Sequence, residues 1–177
     1  MSNLGPKTKK NLEEAFAGES MARNKYTYFA SVARKMGLEQ IANIFLETAE
    51  NEKEHAKLWA KELGLINAVE DNLKAAMDGE HFENTEMYVR MSEEAKEEGH
   101  ADIAAKFLLV ARIEKAHEER YMKLLENVKN ETVFKKSEIK KWKCGNCGHI
   151  HEGENAPEKC PTCDHAKGYF ELFVEAY

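Results

Sequence analysis

Two kinds of residue cluster in this chain have the composition and spacing of metal sites. The first is helical: Glu52-x-x-His55 and Glu114-x-x-His117 each set a carboxylate and an imidazole three residues apart. On a helix that spacing puts both groups on one face, where they can grip a single centre together. Glu19 and Glu80, each directly after a glycine (Gly18, Gly79), add a carboxylate ahead of each pair. The second cluster is Cys144-Gly-Asn-Cys147 and Cys160-Pro-Thr-Cys163, two CxxC knuckles separated by twelve residues. Four thiolates so spaced make a tetrahedral site for which zinc and iron are the contenders. Neither pair continues as CxxCH, which excludes c-type haem attachment.

The helical residues recur with a fixed offset. Glu52 and His55 reappear 62 positions later as Glu114 and His117, and the glycines Gly37 and Gly99 share that offset. Glu19 and Glu80 are 61 apart. The chain therefore reads as two related helix pairs, each with one Glu on its first helix and one ExxH on its second. A single ExxH is weak evidence in a glutamate-rich chain, where it usually faces water; its repetition is what points to a metal. Two such sets about a pseudo-two-fold axis make a dinuclear carboxylate site in a helical bundle. Oxygen-rich donors with two imidazoles suit iron or manganese. Glu83 has no counterpart in the first repeat, where Ala22 stands, and offers one metal an extra ligand. Tyr26 is placed to reach a liganding carboxylate through its hydroxyl; Tyr88 lies one residue off the same line.

These residues need long helices to position them. Gly37, Gly64 and Gly99 follow periodic stretches, as helix-terminating residues do. The expected helices are 8–36, 38–63, 69–98 and 100–128. Their inward lines are apolar at the ends and interrupted in the middle: Ile41, Phe45, Thr48, Glu52, His55, Trp59 in the second, and Ile103, Phe107, Val110, Glu114, His117, Tyr121, Leu124 in the fourth. Buried carboxylates without a positive partner would oppose folding, so the interruptions themselves call for a cation.

The chain has 177 residues, a formal net charge of −6 and four cysteines, all between Cys144 and Cys163. The acidic balance argues against nucleic acid as a partner. No apolar run approaches the roughly 20 residues of a membrane span. The polar start, Met1 to Lys10, is expected to carry no secretory signal, which places the chain in a reducing cytoplasm. Residues 135–143 hold five lysines and one glutamate and read as a solvated linker. The expected organisation is a four-helix bundle over 1–134, a linker over 135–143, and a small metal-held module over 144–177. Trp142, Tyr169, Phe170 and Phe173 are its expected aromatic core, with Gly145, Gly148 and Pro161 shaping the knuckles.

The order of these motifs, with Trp142-Lys-Cys-Gly-Asn-Cys-Gly-His-Ile-His-Glu-Gly and Ala156-Pro-Glu-Lys-Cys-Pro-Thr-Cys, resembles the rubrerythrin family over nearly the whole chain. Gly79-Glu-His-Phe-Glu-Asn-Thr-Glu-Met-Tyr88 is similar to the family segment with its additional carboxylate. The resemblance implies an all-α ferritin-like four-helix bundle followed by a rubredoxin-like domain. It implies a peroxidase that reduces hydrogen peroxide to water in oxidative-stress defence, in the cytoplasm of anaerobic or microaerophilic microbes. It further implies two irons in the bundle and one at Cys144, Cys147, Cys160 and Cys163 that relays electrons from a reductase or rubredoxin, ultimately from NAD(P)H. Glu52 and Glu114 would bridge the bundle irons, Glu19 and Glu80 would be terminal ligands, and His117 would hold one iron. The other iron would exchange His55 for Glu83 with oxidation state. The family forms homodimers, and His149 departs from its more usual aromatic residue. Two other readings stay open: a ferroxidase or iron-storage protein, and a zinc-ribbon interaction module on a metal-binding bundle.

Overall fold

The computed structural model describes residues 4–175, which form four long helices and a small three-stranded sheet. The helices are α1 (Pro6–Lys35), α2 (Glu39–Glu62), α3 (Val69–Phe82) continued as α4 (Tyr88–Glu97), and α5 (Ala101–Lys129). Pro6 stands in the first turn of α1, where its missing N–H costs no hydrogen bond. The three predicted stop signals act alike. Gly37, Gly64 and Gly99 have φ of 74°, 69° and 84°, and each is followed by a residue whose N–H reaches back to close the helix. These bonds are Leu38 N to Ala33 O (3.0 Å), Leu65 N to Ala60 O (2.9 Å) and His100 N to Ala95 O (2.8 Å). Among the described residues no helix is long and apolar enough to cross a membrane.

The third helix differs from expectation in one respect that matters. Between α3 and α4 the backbone widens into a π-turn, Glu83–Met87, where the N–H of Tyr88 bonds to Glu83 O. A π-turn accommodates one inserted residue within an otherwise regular helix. That insertion accounts for the change of repeat offset: 61 before the turn, at Glu19 and Glu80, and 62 after it. From there on the match is structural as well as sequential. The ring centroids of Tyr26 and Phe45 are 6.1 Å apart at 31°, and those of Tyr88 and Phe107 are 5.9 Å apart at 32°.

The chain divides into two compact units, Met1–Ala68 and Val69–Tyr177, so the boundary falls inside the helical region. In the first, α1 and α2 pack through small residues: Ala30, Ala33 and Ala42 are buried against Phe45 and Leu46. The second uses the equivalent positions, Ser92, Ala95 and Ala104, all buried. There the Ser92 hydroxyl donates to Ala104 O at 3.0 Å, tying α4 to α5. Ala30 and Ala33 fall on the inward line expected for the first helix, while Ala42 and Ala104 stand next to Ile41 and Ile103 of the other lines; their small side chains let the helix axes approach closely.

Residues 135–143, expected to be a solvated linker, instead belong to strand β1 (Lys135–Cys144). It lies between β2 (Ile150–Asn155) and β3 (Phe170–Leu172), antiparallel to both. The lysine content concealed a strand whose inward residues are only Trp142 and Cys144, both fully buried. Trp142 donates its indole N–H to Gly153 O at 2.9 Å. The core around it contains Cys144, Ala156, Cys160 and Phe170, with Phe134 and Cys163 packed alongside. Tyr169, expected in this core, is exposed and meets the His165 ring edge-on at 4.4 Å; Phe173 is half-buried.

Replacing Gly99 by alanine forces a Cβ into left-handed backbone. We expect Gly99→Ala to destabilise the protein by about 1–2 kcal/mol. Urea unfolding should show a lower midpoint with an unchanged slope.

Candidate metal centres

Each helical unit assembles one triad of metal-ligating side chains. In the first, α1 supplies Glu19 and α2 supplies Glu52 and His55, with ligand atoms all within 4.8 Å of one another. His55 Nδ1 is 2.8 Å from Glu52 Oε2 and 3.9 Å from Glu19 Oε2. In the second, α3 supplies Glu80 and α5 supplies Glu114 and His117, within the same limit. His117 Nδ1 is 2.8 Å from Glu114 Oε2 and 3.6 Å from Glu80 Oε2. The two triads are near copies, as the repeat requires.

Their electrostatics suit a cation. A hydrogen bond shared with Glu52, then burial and the Glu52 charge, pushes Glu19 above the usual carboxylate range, against the opposing pull of His55. Burial, then the shared hydrogen bond and charge of Glu114, does the same to Glu80; His117 opposes it and Glu83 adds to it. Two carboxylates at hydrogen-bond distance hold a proton between them when nothing more positive is present. A metal ion is the stronger occupant, since it satisfies both oxygens and the imidazole at once. The donor chemistry of both triads therefore fits iron.

Glu83 stands half-buried on the π-turn, outside the triad proper, yet near enough for its charge to act on Glu80 and Tyr88. Tyr88 is held above its ordinary value by burial, then by the charges of Glu83, Glu114 and Glu80, so its phenol keeps its proton beside the second triad. Its counterpart Tyr26 packs on Phe29 and Phe45. The Tyr26 hydroxyl makes no hydrogen bond among the described residues. The sequence singled out Tyr26 ahead of Tyr88 because the inserted residue of the π-turn had displaced Tyr88 from its regular heptad position.

The cysteine module is itself built as two matching knuckles. Cys144 N donates to His149 O and Cys160 N to His165 O, both at 2.8 Å. Gly148 and Asp164 occupy equivalent left-handed positions, with φ of 78° and 63°. Asp164 thus does in the second knuckle what the sequence reading assigned to glycine in the first. The sulfurs of Cys144 and Cys163 are 3.7 Å apart, and those of Cys147 and Cys160 3.6 Å. Metal–sulfur bonds of about 2.3 Å in a tetrahedron require sulfur–sulfur edges of about 3.8 Å, whereas a disulfide needs about 2.0 Å. All four cysteines are free, and Cys147 is the one exposed to solvent.

The thiols are electrostatically unequal. The backbone N–H of His165 brings Cys163 down to about 6, helped by donors from Cys147, Asn146 and Cys160 and opposed by burial. At Cys147 the N–H of His149 also lowers the value, but Cys163, burial, Cys160 and Cys144 together carry it up to about 12. Four sulfurs in van der Waals contact cannot all ionise without a cation between them, which is the condition a tetrahedral metal relieves.

Paired Glu–Glu–His triads on long helices, followed by a closed four-thiolate module, define a non-haem carboxylate metalloprotein with an attached rubredoxin-type site. Comparison with known proteins agrees. The rubrerythrin family model matches residues 10–125, and the model of the rubrerythrin rubredoxin-like domain matches residues 142–171. A rubrerythrin from Clostridium perfringens is 50% identical, covering 98% of this chain and 97% of the relative. Rubrerythrin-1 of Clostridium acetobutylicum is 46% identical over the same shares, 98% and 97%. A rubrerythrin from Nitratidesulfovibrio vulgaris is 45% identical, covering 95% of each chain. The chain belongs to the rubrerythrin family. Its cofactors are accordingly a di-iron carboxylate centre and a four-cysteine rubredoxin-type iron.

Removing the metal from the cysteine site at pH 7 returns a proton to Cys147, whose value of about 12 lies above that pH, while Cys163 at about 6 stays mostly ionised. We expect chelation to take up at least one proton per chain, read by titration in weakly buffered solution; no uptake would contradict this account of the site.

Proposed function

We propose that this protein is a non-haem di-iron peroxidase that reduces hydrogen peroxide to water, with electrons relayed through its cysteine-bound iron. The observation that carries this reading is the pair of equivalent triads with one asymmetric addition, Glu83, on the π-turn beside the second. Glu19, Glu52 and His55 would hold one iron and Glu80, Glu114 and His117 the other, with Glu52 and Glu114 as the bridging carboxylates. Bound there, two ferrous ions supply the two electrons that conversion of one peroxide to two waters consumes.

The same conversion consumes two protons, and the residues around the triads are suited to holding them. A carboxylate or imidazole released from a metal would be free to carry such a proton, and His55 and Glu83 are the groups suited to it. We assign Glu83 as the carboxylate that exchanges with His55 between oxidation states. Tyr88 keeps a neutral phenol within reach of the charges of Glu83, Glu114 and Glu80, and would serve as a donor to a carboxylate there. The four-thiolate site leaves no open coordination position, which suits it to pass electrons singly, and exposed Cys147 offers the short path for their entry.

The proposal includes a homodimer in the reducing cytoplasm, and a reductase or rubredoxin as electron donor. Purified protein from iron-replete cells should carry three irons per chain and be red from its ferric thiolate site. It should oxidise reduced nicotinamide cofactor in a peroxide-dependent manner when a reductase is supplied. A colourless, zinc-bearing preparation would overturn the electron-transfer role. Glu83→Ala should keep both iron sites filled and slow peroxide turnover by about 10- to 100-fold; turnover at the wild-type rate would remove the exchangeable-ligand assignment.

A further inference from the structure

The second helical unit contains a polar cluster that the first lacks, placed beside the π-turn. Asn84, the residue directly after Glu83, donates its side-chain amide to Glu80 O at 2.9 Å and to Glu118 Oε2 on α5 at 2.7 Å. The other oxygen of Glu118, Oε1, is 2.8 Å from His81 Nδ1. Thr85 adds a bond from its hydroxyl to His81 O at 2.7 Å. Side chains of the turn thus bond the carbonyls of two successive residues, Glu80 and His81, where the helix changes register, and one of them also crosses to α5.

The repeat shows how specific this is. At the positions of His81, Asn84 and Glu118, the first unit has Ser20, Arg23 and Ala56. Those three residues help line an open crevice of about 380 Å³ between α1 and α2. The first unit has a regular helix there, with Ala22 where the second has Glu83. So the extra carboxylate, the inserted residue and the three-residue cluster occur together in one repeat and are all absent from the other.

We propose that Glu118, through Asn84 and His81, is a positioning group: it holds the π-turn against α5 and so determines where the backbone presents Glu83. Glu83 is bracketed between Glu80, whose carbonyl Asn84 holds, and Asn84 itself, whose amide Glu118 holds. A backbone fixed on both sides confines the motion of Glu83 to its side chain, which is what an exchangeable ligand requires. This inference rests on the ligand role of Glu83 proposed above.

The test is a double-mutant cycle on the full-length, iron-loaded protein, read by Mössbauer spectra of the bundle irons and by peroxide turnover. Glu118→Ala should change the spectrum in the manner of Glu83→Ala and slow turnover by about tenfold or more. The double variant should be no worse than Glu83→Ala alone. Glu118→Gln keeps a carbonyl acceptor for Asn84 and should restore both readouts to near wild type. Asn84→Ala cuts the same tether from the other end, next to an intact Glu118, and should behave as Glu118→Ala does even if that variant folds poorly. An altered spectrum in Glu83→Ala beside an unaltered one in Glu118→Ala and Asn84→Ala overturns the inference alone. So do additive effects in the double variant. An unaltered spectrum in Glu83→Ala overturns the ligand role itself, and the inference with it.

Discussion

The helical part of this protein is organised around the cost of holding like charges together. Each unit places two carboxylates and an imidazole within 4.8 Å on facing helices, an arrangement that is unfavourable unless a proton or a cation joins them. The raised values at Glu19 and Glu80 register that cost directly. A divalent ion relieves it for all three donors at once, so metal binding and stability are linked in each triad. The alanine contacts of α1 with α2 and of α4 with α5 serve this arrangement by bringing the backbones close enough for short side chains to meet.

The cysteine module solves the same problem with softer donors. Its sulfurs are set at tetrahedral edge lengths by two knuckles of matching hydrogen bonds, each turning on one left-handed residue, Gly148 or Asp164. The buried Trp142 and Phe170 pack with Cys144 and Cys160, while Cys147 is left at the surface. One wall of the site is thus dry and the other faces solvent.

The two triads are near copies, and what distinguishes their surroundings is an inserted residue, a further carboxylate and a polar cluster, all in the second unit. The insertion at the π-turn shifted the repeat from 61 to 62 and coincides with Glu83, where the first unit has Ala22, and with the His81, Asn84 and Glu118 cluster. A symmetric pair of triads would treat two metals alike. Here the symmetry is broken by one further carboxylate, Glu83, close enough for its charge to act on Glu80.

Much of this was legible in the residues themselves. Helix ends at Gly37, Gly64 and Gly99, the triad members, and the four thiolates all follow from local rules: glycine at left-handed positions, one helical face for residues three apart, and CxxC geometry. The numerical offset even carried the trace of the π-turn, although a count of positions does not say where in a helix the extra residue sits. Tertiary structure decided what depends on neighbours distant in sequence. It made a strand of lysine-rich 135–143, because burying Trp142 and Cys144 on one face outweighs the solvation preference of the rest. It packed Phe134 against the core, left Tyr169 outside it, and set Tyr88 within reach of the charges of Glu83, Glu114 and Glu80. The sequence by itself determined which donors exist and how they repeat, because those are short-range regularities. Only the folded chain decided which donor stands beside which, because a hydrogen bond such as Asn84 to Glu118 joins residues that no local pattern relates.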